Sequence, residues 1–185
     1  MTADTLPKLL AGNAAEHGAE TAMREKRFGI WTALSWADVQ SRTREMALGL
    51  DAMGVGAGDV VGLIGDNRPD WVMGEIAAHA IGARSLGLYR DVLEDEVHYL
   101  LEFSGATVVL AEDEEQADKL LNVADRLPLL RHIIYGDPRG MRKYEDARLR
   151  PLSELLAEGA AAHAADPDEA LAVRSRHEAG PGGVG

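Results

Sequence analysis

Four short apolar runs at a near-constant spacing constrain this chain more than any other feature. They lie at Val60 to Ile64, Ala83 to Leu88, Thr107 to Ala111 and His132 to Tyr135, so their starts step by 23, 24 and 25 residues. Bounded runs of four to six residues with this β-branched content suit strands buried on both faces. Helical patterns fill the intervals. Trp71, Val72, Ile76, Ala80 and Ile81 form the first, closed by Gly82, and Leu93, Val97, Leu100 and Leu101 form the second, closed by Gly105. The third runs from Glu114 to Arg126 through Ala117, Leu120, Leu121 and Ala124, and Pro128 ends it. Strand, helix, strand at this period predicts parallel pairing through right-handed crossovers. Residues 59–136 are therefore expected to form an α/β layer, a partial parallel sheet of four strands built from βαβ repeats.

Residues 1–58 lead into that layer. Thr5 with Pro7 opens a helix that His17-Gly18 stops. Ala22 to Lys26 and Ile30 to Leu34 read as short strands, with Arg27-Phe28-Gly29 as their turn. Ser35-Trp36-Ala37-Asp38 resembles a capping box, and Trp36, Val39, Thr43, Met46, Leu50 and Met53 then mark one face of a helix ending at Gly54. Residues 137–185 read as a connector: a turn at Asp137-Pro138-Arg139-Gly140, a polar loop from Met141 to Arg150, and a short helix capped by Ser153 through Leu156. An alanine-rich helix follows from Ala160 to Ala165, broken by Pro167, before a glycine-rich end at Gly180 to Gly185. Four strands alone leave an open sheet edge, which predicts poor solubility for the isolated chain.

Charge and composition exclude several functions. A formal net charge of -12 argues against nucleic acid, whose binders present a basic face. With no cysteine, disulfides, thiolate catalysis and thiolate metal ligation are ruled out, and a cytoplasmic location is the expectation. No apolar run approaches the ~20 residues that span a bilayer. Met1 to Thr5 lack a signal peptide's basic and apolar regions, while a peripheral membrane contact and a homodimer both stay open.

Several stretches that suggest a site have a structural explanation. Gly54-Val55-Gly56-Ala57-Gly58 follows a helix and opens a strand, the reverse of a dinucleotide fingerprint, and reads as a helix-ending turn. Gly65-Asp66-Asn67-Arg68 is better placed, at the carboxyl end of a strand and the amino end of a helix, where backbone amides receive anions. Asp66 or Asn67 as N-cap with Pro69 at N1 accounts for these residues better, since an acidic cap repels phosphate. The six histidines, at 17, 79, 98, 132, 163 and 177, form no metal-ligand spacing. Glu112-Asp113-Glu114-Glu115 reads as a solvated helix start rather than a cation site. His98 and Tyr99 beside Glu94, Asp95 and Glu96 assemble no nucleophile and base, and Ser35, Ser85 and Ser104 lack a nucleophile-elbow context. No residue is assigned a catalytic, cofactor-binding or metal-binding role.

One ordered set of segments carries a resemblance. Leu34-Ser35-Trp36-Ala37-Asp38-Val39, Val61 to Trp71 and Gly82 to Tyr89 resemble the amino-terminal region of the AMP-forming acyl-CoA synthetases, in the adenylate-forming ligase superfamily. The long-chain fatty acid branch fits best, through Tyr89-Arg90-Asp91, Asp95 to Leu101, Ala111 to Leu121 and Leu130 to Tyr135. The likeness covers about residues 5–160 and is specific as a set, each piece alone being weak. It implies the large amino-terminal domain of such enzymes. It also implies a two-step reaction, in which a fatty acid carboxylate attacks the α-phosphorus of ATP with Mg2+ and coenzyme A sulfur then displaces AMP. The family's phosphate loop, nucleotide contacts, magnesium-binding glutamate and carboxy-terminal lysine belong downstream of this segment. Glu178 to Gly185 resembles the approach to that loop. The expectation is therefore an amino-terminal fragment, truncated before the phosphate loop, that binds none of ATP, Mg2+ or coenzyme A and is inactive alone. The alternative is a stand-alone α/β interaction module or the product of a decayed gene.

Overall fold

The computed structural model describes residues 4–165. Pro167, the glycine-rich end and the segment resembling the approach to a phosphate loop lie outside the described residues. The chain opens with α1 (Leu6–His17), where Thr5 has the extended N-cap backbone but its side chain makes no capping bond. A hairpin of β1 (Thr21–Arg27) and β2 (Ile30–Ser35) follows. It is paired antiparallel with Lys26 opposite Trp31 and Arg27 opposite Ile30. Its two-residue turn has both central φ values positive, +48° at Phe28 and +82° at Gly29. That is the type I′ geometry that matches strand twist.

The predicted capping box forms. In α2 (Trp36–Ala52) the Asp38 N–H donates to Ser35 Oγ at 3.1 Å and the Ser35 N–H donates to Asp38 Oδ2 at 2.9 Å. The repeated unit then runs as β3 (Val60–Ile64), α3 (Pro69–Ala80), β4 (Arg84–Leu88), α4 (Glu94–Ser104), β5 (Val108–Ala111), α5 (Glu114–Ala124) and β6 (His132–Tyr135). All four predicted strands pair in parallel. The third helix stops two residues short of its predicted end at Arg126.

Two expectations for the connector need correction. The loop predicted over Met141 to Arg150 instead holds a 3-10 turn (Met141–Lys143) and enters a fifth parallel strand, β7 (Leu149–Pro151). This strand pairs with β6, so the sheet has five strands in the order β4-β3-β5-β6-β7 rather than four. Its single apolar residue before Arg150 and Pro151 gives no strand period, and an edge position tolerates the proline. The two helices predicted beyond Ser153 are one, α6 (Leu152–Ala165). Gly159, in its middle, would ordinarily weaken a helix, but it faces Glu45: a Cβ there would collide with the Glu45 backbone of α2, and one at Gly49 would come within 2.5 Å of the Leu155 carbonyl oxygen. Closeness of backbones, not flexibility, explains these two glycines.

Alternating side chains divide the core between the two faces of the sheet. Val61, Leu63, Val108, Leu110 and Ile134 pack with Leu10, Met46, Leu50, Met73 and Leu155 from α1, α2, α3 and α6. Val60, Ile64, Val109 and Ile133 pack with Val97 and Leu101 of α4 and Leu120 and Val123 of α5. The helix after β3 therefore covers one face and the helix after β5 the other. Adjacent strands whose connections part in this way create a crevice at their carboxyl ends, the place where open α/β sheets bind ligands.

Candidate functional site

The crevice is present. Leu63, Leu110, Ile134, Trp71 and Leu152 form its apolar floor, and Asp66, Arg68, Asp70, Glu112 and Asp137 its rim. The loop singled out from sequence, Gly65 to Arg68, contributes one wall. The N-cap of α3 is Arg68 rather than Asp66 or Asn67, with Pro69 at the first helical position and no side-chain cap bond. Arginine carries donors only, so its side chain cannot accept the free N–H groups of the helix, and the Asp66 carboxylate is paired with Arg90 instead.

Arg68 spans two carboxylates. Its Nε donates to Glu25 Oε1 on β1 at 2.7 Å, and its Nη1 donates to Glu112 Oε1, just past β5, at 2.9 Å. Glu112, with a side chain 14% exposed, also accepts the Asp66 N–H on Oε2 at 2.6 Å. These bonds, led by Glu112, hold the Arg68 guanidinium above its ordinary pKa. The Asp66 backbone N–H at this corner is thus already bonded to the chain's own carboxylate. Gly65 permits this approach, since a Cβ there would lie 2.6 Å from the Glu112 Cβ. Further round the rim, Arg90 pairs with Asp66 at 2.7 Å, Arg42 with Asp70 at 2.9 Å, and Arg139 with Asp137.

This geometry does not fit a nucleotide triphosphate with its metal. Each rim arginine is committed to a carboxylate, and additional phosphate charge would meet Asp66, Asp70 and Asp137. Among the described residues, no three His, Asp or Glu side chains come together as a metal site. No step through ATP, Mg2+ or coenzyme A is derived from these residues.

The acidic run opens α5, as sequence suggested, with Glu114 and Glu115 in its solvent-facing first turn, but Glu112 just before the helix is largely buried and each member has a defined partner. Glu112 holds Arg68, Asp113 caps α5 by accepting the Gln116 N–H at 3.2 Å, Glu114 meets Lys143 at 2.5 Å, and Glu115 meets Lys119 at 3.2 Å. Lys119 chiefly, with Arg90, lowers the Glu115 pKa. The Gly54 to Gly58 run is the turn between α2 and β3, where Asp59 accepts the Gly56 N–H at 2.9 Å. His98 lies 3.9 Å from Glu102, and Ser35 serves as a cap. Ser104 Oγ donates to the Leu101 carbonyl.

One cluster escaped the sequence. Ser85 Oγ on β4 lies 3.0 Å from His79 Nε2 and 3.3 Å from Glu75 Oε1, both on α3. The i, i+4 pair Glu75 and His79 on a helix beside a strand residue was its available signal. Glu75 contacts the serine instead of orienting the imidazole, so the arrangement lacks the order of a nucleophile, base and orienting acid.

Comparison with known proteins places this architecture. The family model described as AMP-binding enzyme matches residues 10–173. "Long-chain-fatty-acid--CoA ligase FadD15" of Mycobacterium bovis is 30% identical over 144 residues, covering 75% of this chain and 24% of the relative. "Long-chain-fatty-acid--CoA ligase heimdall" of Drosophila melanogaster is 33% identical over 104 residues, 56% of this chain and 15% of the relative. The chain thus spans about a quarter or less of the length of these relatives. Among solved structures, the A-PCP didomain of carboxylic acid reductase from Segniliparus rugosus, in complex with AMP, superposes with a TM-score of 0.75 at 18% identity, over 86% of this chain and 27% of that one. The anthranilate CoA ligase AuaEII superposes with a TM-score of 0.71 at 21% identity, over 85% and 30%. At these identities the structures establish the shared fold. Matched by the family model over residues 10–173, the chain belongs to the family of AMP-binding enzymes.

Proposed function

We propose that this chain is the amino-terminal sheet of a long-chain fatty acid–CoA ligase, a cytoplasmic enzyme that activates a fatty acid with ATP and transfers the acyl group to coenzyme A. Residues 1–58 brace the sheet, 59–136 form its centre, and 137–185 lead on to the remainder of the enzyme after adding the edge strand β7 and the packed helix α6. In this role the chain supplies a scaffold, and the groups that handle nucleotide, magnesium and thiol reside elsewhere.

One observation supports the proposal: the charged groups on the rim of the crevice at the carboxyl ends of β3 and β5 are paired within the chain, with Glu112 bonded to both Arg68 and the Asp66 N–H. A family member whose crevice rim is self-paired in this way contributes architecture there instead of chemistry. The test is ATP–pyrophosphate exchange by the purified 185-residue chain with long-chain fatty acids. No exchange above the protein-free control is expected, and exchange that scales with protein concentration overturns the scaffold role.

A further inference from the structure

The β1–β2 hairpin displays its largest apolar side chains to solvent. Phe28 is 85% exposed, Ile30 71% and Trp31 65%. Phe28 occupies a backbone position, φ +48°, that favours Asn, Asp or Gly and disfavours a bulky side chain. Among the described residues its ring contact is with Arg139, 5.5 Å from the ring centre, and Arg139 is itself exposed. An unfavourable backbone conformation spent on an exposed aromatic ring points to a use outside the chain.

The charge around the tip says what that use is. Although the whole chain carries -12, the hairpin sequence Arg24-Glu25-Lys26-Arg27 is net positive, and Glu25 is taken up by Arg68. Strand register places Arg24 and Lys26 on the same face as their partners Ala33 and Trp31, while Ile30, paired with Arg27, flanks the turn on the opposite face, the one that holds Glu25. Lys26 Nζ lies 6.0 Å from the Trp31 ring centre. Aromatic and aliphatic side chains at a projecting turn, with cations alongside, match a bilayer interface whose headgroups are anionic.

We propose that the hairpin tip, Phe28, Ile30 and Trp31 with Arg24 and Lys26, docks this chain on an anionic lipid surface. It does so reversibly, since three apolar side chains and two cations fall short of a stable anchor. The inference stands apart from the proposed ligase role and concerns where the protein sits.

The test is co-sedimentation of the full chain with phosphatidylcholine vesicles, with and without phosphatidylserine. Partitioning is expected only with phosphatidylserine, is lost in high salt and is unaffected by free inorganic phosphate. Phe28→Asn and Trp31→Ser should each weaken it about tenfold, and Arg24→Gln with Lys26→Gln should abolish the preference for anionic lipid. Phe28→Asn also separates docking from folding, because Asn suits the turn and should leave the melting temperature unchanged or raised. Any of four results overturns the proposal: no partitioning, partitioning indifferent to lipid charge, variants that bind like the parent, or a tip that instead mediates self-association or binding to a protein.

Discussion

Arg68, which caps α3, reaches Glu112 beyond β5 across 44 positions of sequence with an Nη1 to Oε1 distance of 2.9 Å. Because Glu112 is largely buried and also holds the Asp66 N–H, this pair ties together the hairpin, the β3–α3 corner and the end of β5. The crevice and the brace are thus built from the same atoms.

Glu112→Gln removes the charge that Arg68 faces while keeping the side-chain volume. It should cost about 2 kcal/mol, the scale of charge-assisted hydrogen bonds to a mostly buried group. Urea unfolding checks this as a lower midpoint at unchanged slope.

Gly159→Ala forces a methyl group into the Glu45 backbone across the α2–α6 contact. Overpacking of about 2 kcal/mol follows, because backbone on both sides must move. Thermal unfolding should show a melting temperature about 4–8 °C lower. Alanine at Gly56, where nothing lies within 4 Å of the added Cβ, is the matched control and should change little.

Ser35→Ala deletes one half of the capping box and should cost about 1 kcal/mol. Restoration by Ser35→Thr, which keeps the oxygen acceptor, would separate capping from packing.

His132 gives the chain an acid-side dependence. Burial first, then Arg150 and Arg131, holds its pKa below the ordinary 6.5, and its Nδ1 is buried without a partner. Above 6.5 the imidazole is neutral in both states and makes no difference to stability. As pH falls through 6.5 the unfolded chain takes up the proton more readily, so folded stability declines until pH passes below the depressed folded value. His132→Gln should flatten that part of the stability profile, measured by urea midpoints at successive pH values. Asp146, whose pKa is lowered mainly by its bond to Arg148, adds a separate loss below its ordinary 3.8.

The central sheet was legible because Val60 to Ile64, Val108 to Ala111 and Ile133 to Ile134 are apolar on both faces, a pattern only a covered parallel strand requires. β7 was not legible, since its place depends on pairing with β6 and its own residues are Leu, Arg and Pro. The single helix α6, read from sequence as two, was not legible for a related reason: the contact that accommodates Gly159 within it lies in α2, more than a hundred residues away. The site was the least legible part. Gly65 to Arg68 was recognisable as an anion-ready corner, but its occupant, Glu112, lies in an acidic run that looked solvated, and only the crossover geometry brings the two together. Likewise, the turn at Phe28-Gly29 was readable, whereas the exposure of Phe28 was not.

The most direct test of the scaffold role is ATP–pyrophosphate exchange by a chimera in which residues 4–165 replace the aligned segment of the mycobacterial FadD15 relative. A folded chimera that exchanges pyrophosphate with a long-chain fatty acid at a rate of the same order as its parent is the predicted result. A folded chimera with no exchange would contradict the account.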